Sequence, residues 1–229
     1  MTQPHRLQLG TSRLEMLPPA AQAVFVDPSW IHLGDAPPPF LRLALQVLLR
    51  KRPSFRKMRQ LYRRTAFLEF WFRPGEKLPF LAESFTFIYS EHFFEHLSPS
   101  LAAELFRECN RVLKKGGVLR TVVPDAVLRC YEPPEPDPYP AGSDPDGPFR
   151  HRSRWTHTNL GSALEQSGFR AIPLDYCTEA GEHIERLPAA IPDAYGPCLD
   201  WPPVCDLSYV TRRPSLMVDA VKIADLPRS

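Results

Sequence analysis

Proline restricts this chain more than any other residue type. It takes 27 of 229 positions, gathered in "LPPAA", "DAPPPF", "YEPPEPDPYPAGSDPDGP", "RLPAAIPDAYGP" and "DWPPVC". The pyrrolidine ring fixes φ and removes a backbone donor, so proline neither continues a helix nor sits in a central strand. These stretches are expected to be loops, with the folded framework between them.

The framework alternates strands and helices. "HRLQLG" and "AVFVDPS" are short apolar runs ended by Gly10 and by Asp27-Pro28, the length of buried parallel strands, with "SRLEMLPPAA" as a crossover. "TAFLEFWF" and "FTFIYS" are aromatic and β-branched and read as a third and a fourth strand. "SLAAELFRECNRVLKKGG" reads as a helix with lysines in its last turn and a glycine stop. "VLRTVVP" then gives a fifth strand, "WTHTNLGSALEQSGF" a further helix, and "RAIPLDYC" and "PSLMVDAVKI" two more strands. The pattern predicts an α/β fold, a mostly parallel sheet with helices on both faces.

A chain of 229 residues, 43% of them hydrophobic, suits one domain over 1–229. Two elaborations stand out. From Ala36 to Leu68 there are nine Lys or Arg and no Asp or Glu; a basic helical insertion over 36–64, packed on the sheet edge with a solvated rim, is the simplest reading. An acidic, proline-rich loop covers 132–150. The net charge of +2 does not call for nucleic acid or a membrane surface. No signal-peptide pattern or membrane-length apolar run is present, so a cytoplasmic location is expected. Cys109, Cys130, Cys177, Cys198 and Cys205 include no C-x-x-C pair and fit reduced thiols.

"SEHFFEHLSPS" contains H-x-x-E-H at His92, Glu95 and His96, the inverted zinc-peptidase string. Such a site needs both histidines on a stable helix. Here a strand ends just before the string and Pro99 follows closely, leaving about a turn of helix. No metal is expected, and the string reads as a turn that faces a ligand.

"LPFLAESFTFIYSEHFFEHL" continuing into "LFRECNRVLKKGGVLRTVVPD", Leu78 to Asp125, resembles the central block of class I S-adenosylmethionine-dependent methyltransferases, in particular small generic bacterial ones. "HRSRWTHTNLGSALEQSGFR" resembles the family's later helix with its G-F turn, and "RRPSLMVDAVK" its last strand. The resemblance implies a Rossmann-like sheet with an antiparallel last strand, S-adenosyl-L-methionine as cofactor, and ligand binding outside the carboxyl ends of the strands. Gly10 matches the first glycine of the cofactor loop, and Ser12 stands where the family has a second. Asp27, read as ending the second strand, would take the ribose hydroxyls. The acidic residue that usually precedes L-P-F and meets adenine is replaced by "RPGEK", with Glu76 nearest, next to Leu78.

Ser90 and Glu91 would lie against the methionine part. His92 would face the acceptor and remove its proton, with His151 as second candidate, because imidazole titrates near neutrality. Glu95 and His96 would orient or pack, and Tyr131, Tyr139 and Trp155 would wall the acceptor pocket. The aromatic content suggests a small-molecule acceptor. The alternative function is a methyltransferase-fold protein that has lost methyl transfer and serves as a binding or scaffold subunit, or runs another reaction in the same pocket.

Overall fold

Successive residues of a strand take opposite faces of the sheet, and here that alternation separates two cores: Phe87 and Tyr89 belong to one, Ile88 to the other. The computed structural model describes residues 4–10, 19–34, 66–128, 151–212 and 214–223. In chain order the elements are β1 (Arg6–Leu9), α1 (Pro19–Phe25), β2 (Trp30–Gly34), β3 (Ala66–Glu69), β4 (Phe85–Glu91), α2 (Pro99–Val112), β5 (Leu113–Val123), α3 (His157–Glu165), β6 (Phe169–Cys177), β7 (His183–Glu185), α4 (Trp201–Cys205) and β8 (Leu216–Lys222). Short 3-10 turns cover Phe94–His96, Pro188–Ala190 and Pro192–Ala194.

The strands form one sheet in the order β3-β2-β1-β4-β5-β8-β6-β7. The first five run parallel. β8 runs antiparallel between β5 and β6, and β7 closes a hairpin on β6. Leu105 and Phe106 of α2 and Leu160 and Leu164 of α3 bury one face. Phe25 of α1, Val204 of α4, Tyr195 and Tyr209 bury the other. This is the expected α/β class with helices on both faces. No helix among the described residues is long and apolar enough to cross a membrane.

Several elements depart from the sequence reading. "AVFVDPS" is not a strand: its first half ends α1, and the second strand is "WIHLG". The alanines of "PAAQAVF" favour helix, a proline opens it, and the polar His32 hid the true strand from a search for apolar runs. Prolines also begin α2 and both later 3-10 turns, and "WPPVC" is itself helical. A first-turn residue has no intrahelical partner for its N–H, so proline costs nothing there and punctuates less than expected. Pro173 sits inside β6 at the point where its register with β8 shifts, a bulge position that a sheet tolerates. α2 ends at Val112, and "LKKGG" already belongs to β5; Gly116 turns there at φ +78, where a Cβ would meet the Pro197 carbonyl at 2.7 Å. The basic insertion at 36–64 and the loop at 132–150 lie outside the described residues.

Two buried polar groups of this core are fully matched, the Arg120–Asp219 pair and His32. Arg120 and Asp219, both fully buried, pair through two hydrogen bonds of 2.8 and 2.7 Å across β5 and β8. Burial alone would lower the Arg120 pKa, but the Asp219 carboxylate leaves it raised. His32 is also fully buried. Its Nε2 donates to the Phe25 carbonyl at 2.8 Å and its Nδ1 faces the Gln8 carboxamide at 2.6 Å.

Burial lowers His32 from an ordinary 6.5 to about 4. Between those values the unfolded chain binds a proton that the folded protein does not, so stability falls as pH drops through that window. The loss reaches up to about 3 kcal/mol. Urea unfolding at a series of pH values should show this acid loss in the native protein and a shallower one in His32→Phe; equal slopes would exclude His32 as the source.

Candidate functional site

Strand order reverses between β1 and β4: the chain builds outward on one side through β2 and β3, then returns to the other. The crevice outside the carboxyl ends at such a switch point is where open α/β sheets take ligands. Leu9 pairs with Ser90 there; Gly10 is the first residue past β1, and Glu91, still paired with Val122, is the last of β4.

Gly10 donates its N–H to the Leu33 carbonyl at 2.9 Å and turns at φ +77. A side chain at this φ is strained, and a Cβ would also come within 2.6 Å of the Phe93 ring. Ser90 is fully buried in the sheet, with no hydrogen-bond partner for its Oγ. The Glu91 carboxylate accepts from the Thr211 N–H at 2.7 Å, the Arg212 N–H at 2.9 Å and the Thr211 hydroxyl at 2.8 Å. It anchors the segment before β8, which leaves backbone rather than carboxylate to face the crevice. Leu78 is buried; its N–H donates to Glu108 at 2.7 Å and its carbonyl accepts from Arg111 at 3.0 Å. The L-P-F segment is thus stitched to α2. Glu76 is exposed on the preceding turn.

Two assignments are corrected. Asp27 does not end β2; it precedes the strand, at the amino edge of the sheet, opposite the crevice. Its carboxylate accepts from the Ser29 N–H at 2.9 Å, and its hydrogen bonds with Ser29 lower its pKa. It is a turn-capping aspartate. Trp155 is a core residue, buried in the layer under α2 and α3 with its ring 6.2 Å from that of Phe106. Ser12, Tyr131 and Tyr139 lie outside the described residues.

The H-x-x-E-H string begins at a strained point: His92 has φ +50, and its N–H donates to the Val122 carbonyl at 2.8 Å. This left-handed step turns the chain sharply off β4 and into the 3-10 turn at Phe94–His96. The Glu95 carbonyl accepts from the N–H groups of Arg152 and Ser153, at 2.6 and 3.1 Å, and the Ser153 hydroxyl donates to the Phe94 carbonyl at 3.1 Å. These bonds dock the chain after residue 150 onto the turn and bring His151 to it. The His96 and His151 rings pack edge to face, 5.2 Å between centroids. Burial lowers the His151 pKa, against the pull of Glu95.

His92 Nδ1 lies 3.2 Å from Glu95 Oε1, and its Nε2 is 3.2 Å from the Ser215 hydroxyl. Glu95 is 1% exposed. The structure therefore brings both candidate bases to one carboxylate, with Glu95 as their common neighbour. Motif reading assigned Glu95 to orienting or packing. What it missed is the docking of residues 151–153, since hydrogen bonds to backbone carbonyls leave no pattern in sequence.

A family model described as a methyltransferase domain matches residues 51–121, which take in β3, β4, α2 and most of β5. Two solved structures share the fold. One is the complex between the Haloferax volcanii Trm112 methyltransferase activator and its methyltransferase partner: 14% identity and TM-score 0.50, over 98% of this chain and 86% of that one. The other, PigF with SAH, is 12% identical at TM-score 0.53, over 96% of this chain and 50% of that one. This chain thus spans about half the length of PigF. No curated protein matches the chain. The family match over residues 51–121 and the shared architecture agree with the class I methyltransferase resemblance, and the fold is Rossmann-like.

The contact between Gly10 and Phe93 makes a measurable prediction. Gly10→Ala should lower stability by about 1–2 kcal/mol through the left-handed φ alone, and by more through the clash. Adding Phe93→Ala should restore the clash component. In a double-mutant cycle by urea unfolding, strict additivity of the two changes would show that the ring does not bear on Gly10.

Proposed function

We propose that this chain is an S-adenosylmethionine-dependent methyltransferase acting on a small-molecule acceptor. The observation that carries the reading is the crevice at the β1–β4 switch point, opened by a glycine at φ +77. The chain there suits such a cofactor in one respect: Gly10 turns without a side chain. Asp27, which caps a turn at the opposite edge of the sheet, is not the partner of the ribose hydroxyls. The cofactor, when bound, supplies a methyl group made electrophilic by its sulfonium.

The chain's own task is to hold an acceptor in line and take its proton. His92 is the proposed base. The Glu95 carboxylate, 3.2 Å from Nδ1 but outside hydrogen-bond geometry, draws the proton electrostatically to that nitrogen and leaves Nε2 to act as the acceptor, as the orienting group of a base does. The Ser215 hydroxyl now facing Nε2 is the partner that an incoming hydroxyl or ammonium replaces. His151 packs against His96 and is not needed as a second base.

A second reading, the same fold without methyl transfer, is favoured by one observation: the Phe93 ring occupies the space beside Gly10. Calorimetry with S-adenosylmethionine and S-adenosylhomocysteine separates the two. Saturable binding of both is expected, unaffected by Asp27→Ala; absence of binding at millimolar ligand would leave the scaffold reading. Once an acceptor is in hand, His92→Ala should lower kcat by about 10²–10⁴-fold with little change in KM, and full activity in that variant would remove His92 from the base role.

A further inference from the structure

We infer that Glu95, His96 and His151 form a binding site for a divalent transition-metal ion of the zinc type, beside the proposed cofactor crevice. One ligand atom from each residue lies within 4.8 Å of the other two. Glu95 is buried, and neither of its carboxylate oxygens accepts a hydrogen bond. A buried carboxylate in that condition is costly unless a cation sits against it. What surrounds it is a set of imidazoles: His92 Nδ1 at 3.2 Å and His96 Nε2 at 3.9 Å from Oε1, with His151 beside His96.

The fold supports the cluster from two sides. The 3-10 turn presents Glu95 and His96, and the hydrogen bonds from Arg152, Ser153 and the Ser153 hydroxyl fix the strand of chain that carries His151. His96 and His151 are only partly buried, so an ion has a path from solvent. Two imidazoles and one carboxylate suit zinc, iron or cobalt better than magnesium or calcium, which prefer oxygen alone. Three protein ligands leave a position for water or for an oxygen of a bound molecule. His92, 3.2 Å from Oε1, would hold the carboxylate in place as outer partners of metal ligands do.

This is not the site that the H-x-x-E-H string suggests. There the two histidines of the string bind metal and the glutamate stays off it; here the glutamate is a ligand, His92 is not, and the third donor comes from a distant segment. The expectation of no metal rested on the shortness of the helix, and the docked segment removes that objection. The site does not depend on the methyltransferase reading, because its test reads metal rather than methyl transfer.

The test uses the full chain, stripped with chelator and titrated with Co²⁺, whose visible spectrum reports coordination by protein nitrogen, and then with Zn²⁺ in competition with a chromophoric chelator. One equivalent of each should bind, Zn²⁺ displacing Co²⁺. Glu95→Gln and His151→Ala should each weaken binding by at least about 100-fold, beyond what loss of an outer partner brings. His183→Ala, on β7, should leave it unchanged. Should Glu95→Gln not fold by circular dichroism, His151→Ala decides alone, since its side chain is only partly buried. Absence of a tight equivalent, or binding undiminished in His151→Ala, overturns the site.

Discussion

The arrangement at the crevice depends on a buried charge pair that never reaches it. Arg120 and Asp219 lock β8 antiparallel against β5, and Arg120 spends its remaining donors on the Val204 carbonyl at 2.6 Å and the Tyr209 hydroxyl at 2.9 Å. Tyr195 donates to the same aspartate at 2.7 Å. One guanidinium thus holds α4 and the chain up to Tyr209 over the sheet. Two residues further on, Thr211 and Arg212 reach the Glu91 carboxylate, and Ser215 meets His92. A buried pair rarely adds net stability over apolar packing, but removing one partner costs about 3–5 kcal/mol. What this pair provides is position, passed from the core to the end of β4.

The central block was legible because its signals are local. β4 and the second half of β5 are rich in aromatic and branched aliphatic residues, "FTFIYS" and "VLRTVV", and α2 has a Ser98 cap that accepts from the Leu101 N–H at 3.3 Å. The amino-terminal third was less so. α1 and β2 were exchanged for one strand because a buried polar residue, His32, breaks the apolar pattern of β2, while its partners Gln8 and the Phe25 carbonyl are supplied by other elements. Asp27 was misplaced by the same error, since a residue's end of the sheet follows from which segment is the strand.

The site divides in the same way. Gly10 and the string at His92, Glu95 and His96 are visible in sequence, because glycine needs at a turn and histidine spacing are both local properties. Their meaning is not. Glu91 looked like a ligand contact and proves to be an anchor, since Thr211 and Arg212 arrive from beyond β7 and α4. His151 and Glu95 meet only because backbone donors at 152 and 153 find carbonyls on a 3-10 turn, an encounter that no spacing rule encodes.

The contact between Gly10 and the Phe93 ring ties the end of β1 to the turn after β4. One aromatic ring thus links the two strands on either side of the point where strand order reverses. A side chain at position 10 would need the ring at position 93 removed and would still bear the strain of φ +77.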